Sequence, residues 1–95
     1  MKEITEEKLK KYFSVTEKAL KKIKISAPKK THLHNASLDF LDMARRYFDD
    51  AKHFEKKQDY VNAFACLNYA HGWLDAGARL GLFDVGHDNT LFTVD

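Results

Sequence analysis

His71, Asp75 and Arg79 stand four residues apart, a spacing that places them on one face of any helix that carries them. A histidine next to a carboxylate can relay a proton, and an arginine close by can hold an anion, so proton transfer or anion binding is the chemistry the trio suggests. His71 and Asp75 also have the helical spacing of two metal ligands, with His32 or His34 available as a third. The plainer assignment is an ion pair between Asp75 and Arg79 and a histidine hydrogen-bonded within the fold. It is preferred, because nothing else in the sequence completes a metal or catalytic set. His71, Asp75 and Arg79 are therefore candidate binding residues, and no catalytic residue, metal or cofactor is expected.

Other residues carry less. Arg46 and His53 have six residues between them and fall on nearly one helical face. The pair resembles the Arg-x4-6-His motif of ribonucleases with the higher-eukaryote-and-prokaryote nucleotide-binding fold, in which histidine handles the proton and arginine the phosphate charge. Such pairs arise often by chance, and the chain is short for that fold. The lysines of KLKK and KALKKIK could neutralise phosphates. They interleave with apolar positions as a solvated helix face does, and no aromatic residue or glycine-rich loop accompanies them to read bases. The single cysteine, Cys66, excludes an internal disulfide and a cysteine-based zinc cluster, and reads as a small buried hydrophobe.

These side chains need a scaffold. A chain of 95 residues, 44% hydrophobic and 32% charged, makes one domain of ordinary folded composition. No apolar run approaches the ~18 residues of a membrane span, and the N-terminal MKEITEEKLKK lacks the apolar stretch of a secretion signal. A cytoplasmic protein with no membrane partner is expected. Residues 1–30 hold ten lysines against four glutamates, while residues 31–95 hold six basic and ten acidic groups. That asymmetry suits either a basic arm for nucleic acid or one half docking electrostatically on the other.

Leu9, Tyr12, Phe13, Thr16, Ala19, Leu20 and Ile23 recur at helical spacing and predict a first helix over about 5–25. Thr5 is its N-cap, Ile4 staples onto Leu9, and Pro28 stops it. The polar stretch SAPKKTHLHNAS, 26–37, reads as a loop. A second helix is expected over about 36–56, with Phe40, Met43, Ala44, Tyr47, Phe48, Ala51 and Phe54 inward and the charges from Asp42 to Asp50 paired on a solvated outer face. Lys57 and Gln58 turn the chain, Asp59 caps a third helix over about 60–80, and Gly81 ends it. So short a connection makes helices two and three an antiparallel hairpin.

The third helix is apolar nearly all round, which predicts a central element covered on most sides. Ala63, Ala70 and Gly77 are spaced by seven, nearly two turns, and form a strip along which a backbone or ring can approach closely. Gly72 lies off that strip and calls for another neighbour, a ring from the tail or from a second subunit. The tail, 82–95, carries Leu82, Phe83, Val85, Leu91, Phe92 and Val94, too many apolar groups to hang in water. It folds back over the bundle or meets another chain, and the second option motivates an expectation of self-association.

Tyr47, Asp50, Ala51 and Phe54, then Asp59, then the block from Tyr69 to Gly77 resemble the archaeal family catalogued as domain of unknown function 357. The likeness is close over Met43–Phe83 and looser elsewhere. It implies a small three-helix up-and-down bundle with a short C-terminal extension, and it carries over no activity and no site residue. One departure is Lys57-Gln58, where the family often has a glycine before the aspartate. The hairpin DYVNAFACLNYA is also similar to a single tetratricopeptide unit, but one copy makes no groove.

The expected protein is an all-α, non-enzymatic interaction or scaffold module whose partner is a second copy or another protein. The alternatives are an RNA-processing enzyme and a nucleic-acid-binding protein.

Overall fold

Thr5 opens the first helix by accepting a hydrogen bond from the Lys8 backbone at 3.1 Å, with Glu6 and Glu7 in the positive first turn. The computed structural model describes residues 4–93 and contains α1 (Glu6–Lys22), β1 (Lys24–Ile25), α2 (His32–Lys56), α3 (Tyr60–Arg79) and β2 (Phe83–Asp84). It is an all-α three-helix bundle with one short antiparallel strand pair, in which Lys24 faces Asp84 and Ile25 faces Phe83. No helix among the described residues is long and apolar enough to cross a membrane.

Two helix boundaries differ from expectation. The first helix ends at Lys22 rather than near residue 25, because the backbone turns extended at Ile23 to pair with the tail. Ser26 then locks the junction: its N–H donates to the Leu82 carbonyl at 3.1 Å and its hydroxyl to the Gly81 carbonyl at 2.6 Å. The second helix begins at His32, four residues earlier than residue 36. Thr31 is its cap, accepting from the His34 N–H at 3.1 Å while its own hydroxyl donates to the Pro28 carbonyl at 2.6 Å. His32, Leu33, His34 and Asn35 are therefore helical.

The hairpin between α2 and α3 turns through Gln58 in the left-handed region, φ 61°. The Asp59 N–H reaches the Phe54 carbonyl and the Gln58 N–H the Glu55 carbonyl, each at 2.9 Å, the pairing of a Schellman end. A glutamine thus occupies a position that glycine fills without steric cost. Asp59 then caps α3, accepting from the Asn62 N–H at 3.2 Å and its side-chain amide at 2.7 Å. Gly81, φ 77°, closes α3 in the same manner, with Leu82 N–H on the Gly77 carbonyl at 2.8 Å.

Helix α3 packs against α1, α2 and β2. Its buried stripe is Ala63, Leu67, Ala70, Leu74 and Gly77, which serves two clusters: Leu9 of α1 and Phe48 and Ala51 of α2 pack with Ala63, Leu67 and Ala70, and Ala44 of α2 packs with Leu74 and the tail. Ile4 joins Leu9 there, as the staple required. Ala70 is fully buried, and a Cβ built on Gly77 would overlap the ring of Phe83, whose Cζ lies 3.2 Å away. The missing side chain admits an aromatic ring from the tail.

The tail returns over its own bundle. Leu82, Phe83, Val85 and Phe92 are buried, so their apolar character gives no ground for a second chain; Val94 lies outside the described residues. The expectation that α3 is covered on most sides also needs correcting. Val61, Tyr69 and Leu80 are 64%, 52% and 68% exposed, and Ala65, Gly72 and Ala76 are exposed between them. A Cβ at Gly72 would meet nothing within 4 Å, so neither the tail nor another helix of this chain fills the space beside it.

The two helical glycines should respond oppositely to alanine. Gly77→Ala drives a methyl into the Phe83 ring and should cost about 1–3 kcal/mol. Gly72→Ala meets no neighbour and should gain about 0.5–1 kcal/mol from helix propensity. Urea unfolding followed by circular dichroism measures both. Gln58→Gly relieves a left-handed side chain and should add about 0.5–1 kcal/mol, read as a Tm rise of roughly 2–8 °C.

Candidate functional site

One turn of α3 separates each member of the trio His71, Asp75 and Arg79 from the next, and the fold brings all three to the groove that the tail occupies. His71 Nε2 lies 2.5 Å from the Leu91 carbonyl, an acceptor, so that nitrogen carries the hydrogen. Its Nδ1 is then free to accept from the hydroxyl of Thr16, 3.3 Å away on α1. Thr16 is 2% exposed, so this bond satisfies a hydroxyl that water does not reach. Both ring nitrogens are engaged, and the ring packs beside buried Phe92 with centroids 6.3 Å apart.

Asp75 accepts from the Thr93 N–H at 3.0 Å and faces its hydroxyl at 3.5 Å. Arg79 donates to the Thr93 carbonyl at 3.4 Å. The ion pair expected between Asp75 and Arg79 is thereby replaced: each side chain takes one side of the same tail residue. His71 and Asp75 do approach one another, Nε2 to Oδ1 3.8 Å. The expected hydrogen-bonded histidine is present, and the three candidates together hold main-chain atoms of Leu91 and Thr93.

The space left to a ligand beside them is small. A cavity of about 250 Å³ lies between α1 and α3, lined by Tyr12, Val15, Thr16, Asn68, His71 and Asp75 among others. That is below the ~300–1,000 Å³ usual for small-molecule sites. No three His, Cys, Asp or Glu side chains converge to hold a metal ion among the described residues. His32 and His34 sit in the first turn of α2, and the His34 Nδ1 is buried with no hydrogen-bond partner.

Arg46 pairs with Asp42 at 2.9 Å on the outer face of α2, and His53 is exposed with its ring edge-on to Phe54. Neither lines the cavity just described. The lysines of α1 are exposed, and two of them pair one turn back, Lys10 with Glu6 at 3.3 Å and Lys21 with Glu17 at 3.2 Å. Cys66 is half-buried, and burial together with the nearby Asp50 charge pushes its thiol pKa up, away from nucleophilic chemistry.

Sequence reasoning missed the loop that delivers the tail to the trio. Asp88 accepts from the backbone N–H groups of Thr90 and Leu91, both at 3.0 Å, and pairs with Lys22 of α1 at 3.4 Å. The signal was available: an aspartate followed by Asn89 and Thr90 is a common side-chain-capped turn. Lys22–Asp88 is one ion pair between the basic first thirty residues and the remainder of the chain. A trough of about 550 Å³ opens beside that pair, lined by Lys22, Lys24, Asp84, His87 and Thr90 among others.

The Leu91 N–H, then that of Thr90 and the Lys22 ammonium, hold the Asp88 carboxyl below its ordinary value of 3.8. A depressed carboxylate pKa contributes stability above the unfolded value and loses it as pH falls through the folded one. The Thr90 and Leu91 amide resonances should therefore shift together in an NMR titration, with a midpoint below 3.8. In Asp88→Asn that shared step should vanish.

No curated protein and no solved structure matches the chain. Residues 11–83, from the second turn of α1 to the first residue of β2, match a family described as protein of unknown function (DUF357). Most of α1, the whole of α2 and α3, and the trio on α3 fall inside that match, and the chain belongs to this family.

Proposed function

We propose that the protein is a non-enzymatic interaction module that works by associating with a second copy of itself. The observation that carries this reading is the exposed face of α3. In a chain with 32% charged residues, Val61, Ala65, Tyr69, Gly72, Ala76 and Leu80 run along one exposed face of α3 as a strip without a charge of its own, with Arg79 exposed beside it. Tyr69 and Leu80 are more than half exposed, and an exposed apolar strip of this length is the mark of a docking surface.

The polar candidates support the same reading. His71, Asp75 and Arg79 hold the tail, so the groups with most chemical capacity serve the fold. The exposed strip of α3 is apolar surface that this chain leaves open to another molecule.

Sedimentation velocity over a wide concentration range tests this directly. The expected result is a sedimentation coefficient that rises with concentration toward that of a dimer. A chain that stays monomeric at ~1 mM, where even a weak ~4 kcal/mol association would show, overturns the proposal.

A further inference from the structure

The intervals along the exposed face of α3, from Val61 through Ala65, Tyr69, Gly72 and Ala76 to Leu80, are four, four, three, four and four. They read the same from either end. Residue sizes mirror as well: an aliphatic side chain closes each end, an alanine stands inside each, and the centre holds the largest side chain beside the smallest. Building on the self-association proposed above, we infer that two copies pair through α3 in antiparallel orientation, about a two-fold axis between Tyr69 and Gly72.

A two-fold interface requires that if one residue meets another, the second meets the first in return. When two helices pack antiparallel, residues equidistant from the axis lie side by side in one layer. Here those layers set Val61 beside Leu80, Ala65 beside Ala76, and Tyr69 beside Gly72 of the second copy. Each large group has a small or apolar counterpart, and the alanine layers let the helix axes approach to the short end of the usual ~8–10 Å. The six strip residues carry no charge, and exposed Arg79, on the same side of α3 as Val61, falls in the layer of the uncharged Asn62 of the second copy, so the pairing brings no like charges together there.

Gly72 is the most direct argument. It lies inside an exposed helix, where glycine costs about 1 kcal/mol relative to alanine, and its own chain gives no steric reason for it. A cavity of about 240 Å³ opens over it, walled by Tyr69, Trp73 and Ala76. The Tyr69 ring of the second copy fills that space. Tyr69 is held ready for the role by stacking on Tyr47 of α2, centroids 4.3 Å apart and planes 11° from parallel.

The strip is about 30 Å long and about one helix wide, less than the ~800 Å² per partner of a standard stable interface. The dimer is accordingly weak and reversible, forming at micromolar concentrations or above.

Cysteine cross-linking in a Cys66→Ala background reads the orientation. Ala65→Cys and Ala76→Cys proteins, mixed and treated with a short bifunctional thiol reagent, should join to one another, while neither joins to itself. Gly72→Leu should weaken dimerisation at least tenfold, with its circular dichroism and thermal transition showing an intact monomer. If wild type dimerises but Ala65→Cys cross-links to itself, or Gly72→Leu dimerises as wild type does, the antiparallel pairing is wrong and self-association stands. If wild type never dimerises, both fall.

Discussion

The ring of Phe83 lies on bare backbone at Gly77, and much of the C-terminal half of the molecule follows from that contact. A side chain on α3 at that point would push the ring out, and with it the start of the tail. Because the ring fits, the chain leaving α3 can turn at Gly81 and run back beside the end of α1, where β2 pairs with β1. The Leu82 carbonyl then receives the Ser26 N–H and lies within reach of the buried Ser37 hydroxyl at 3.4 Å. The end of α1, the start of α2 and the end of α3 are thus tied at one point. The tail arriving from that point supplies Phe92 to the core and Leu91 and Thr93 to the trio on α3.

Small side chains on α3 serve two faces. Ala63, Ala70 and Gly77 face inward and bring α2 and the tail close; Ala65, Gly72 and Ala76 face outward. The inward set repeats every seven residues and closes over its own chain. The outward set has no counterpart within the described residues, and its geometry suits a helix lying across it. One helix therefore carries a propensity penalty at Gly72 and Gly77 for separate reasons, one resolved within the chain.

Much of this was legible in the sequence because it is local. Thr5 and Asp59 announce helix starts by their capping chemistry, Gly81 announces an end, and the apolar spacing of α1 and α2 marks their inner stripes. What could not be read depends on distant partners. Two-residue strands are too short to show periodicity, and the Thr31 cap is followed by polar residues that read as loop. Asp75 and Arg79 have the spacing of an ion pair, but Thr93, eighteen residues beyond Asp75, competes for both. The outward face of α3 reads as covered and is exposed, because apolar composition says how much surface seeks shelter, and not whether the chain itself supplies it.

The trio on α3 grips carbonyl oxygens and an amide hydrogen that every residue type but proline offers alike. Such a clasp is blind to lettering and strict about length: an inserted or deleted residue between Asp88 and Thr93 displaces each atom from its partner, whereas exchanges at the exposed positions Asn89 and Thr90 leave the register untouched. Within this stretch Phe92, buried against His71, is the anchor that side-chain identity must preserve. Substitution along this stretch thus preserves the path of the chain so long as Phe92 and the number of residues are kept, and the whole stretch lies beyond residue 83, where the family match stops.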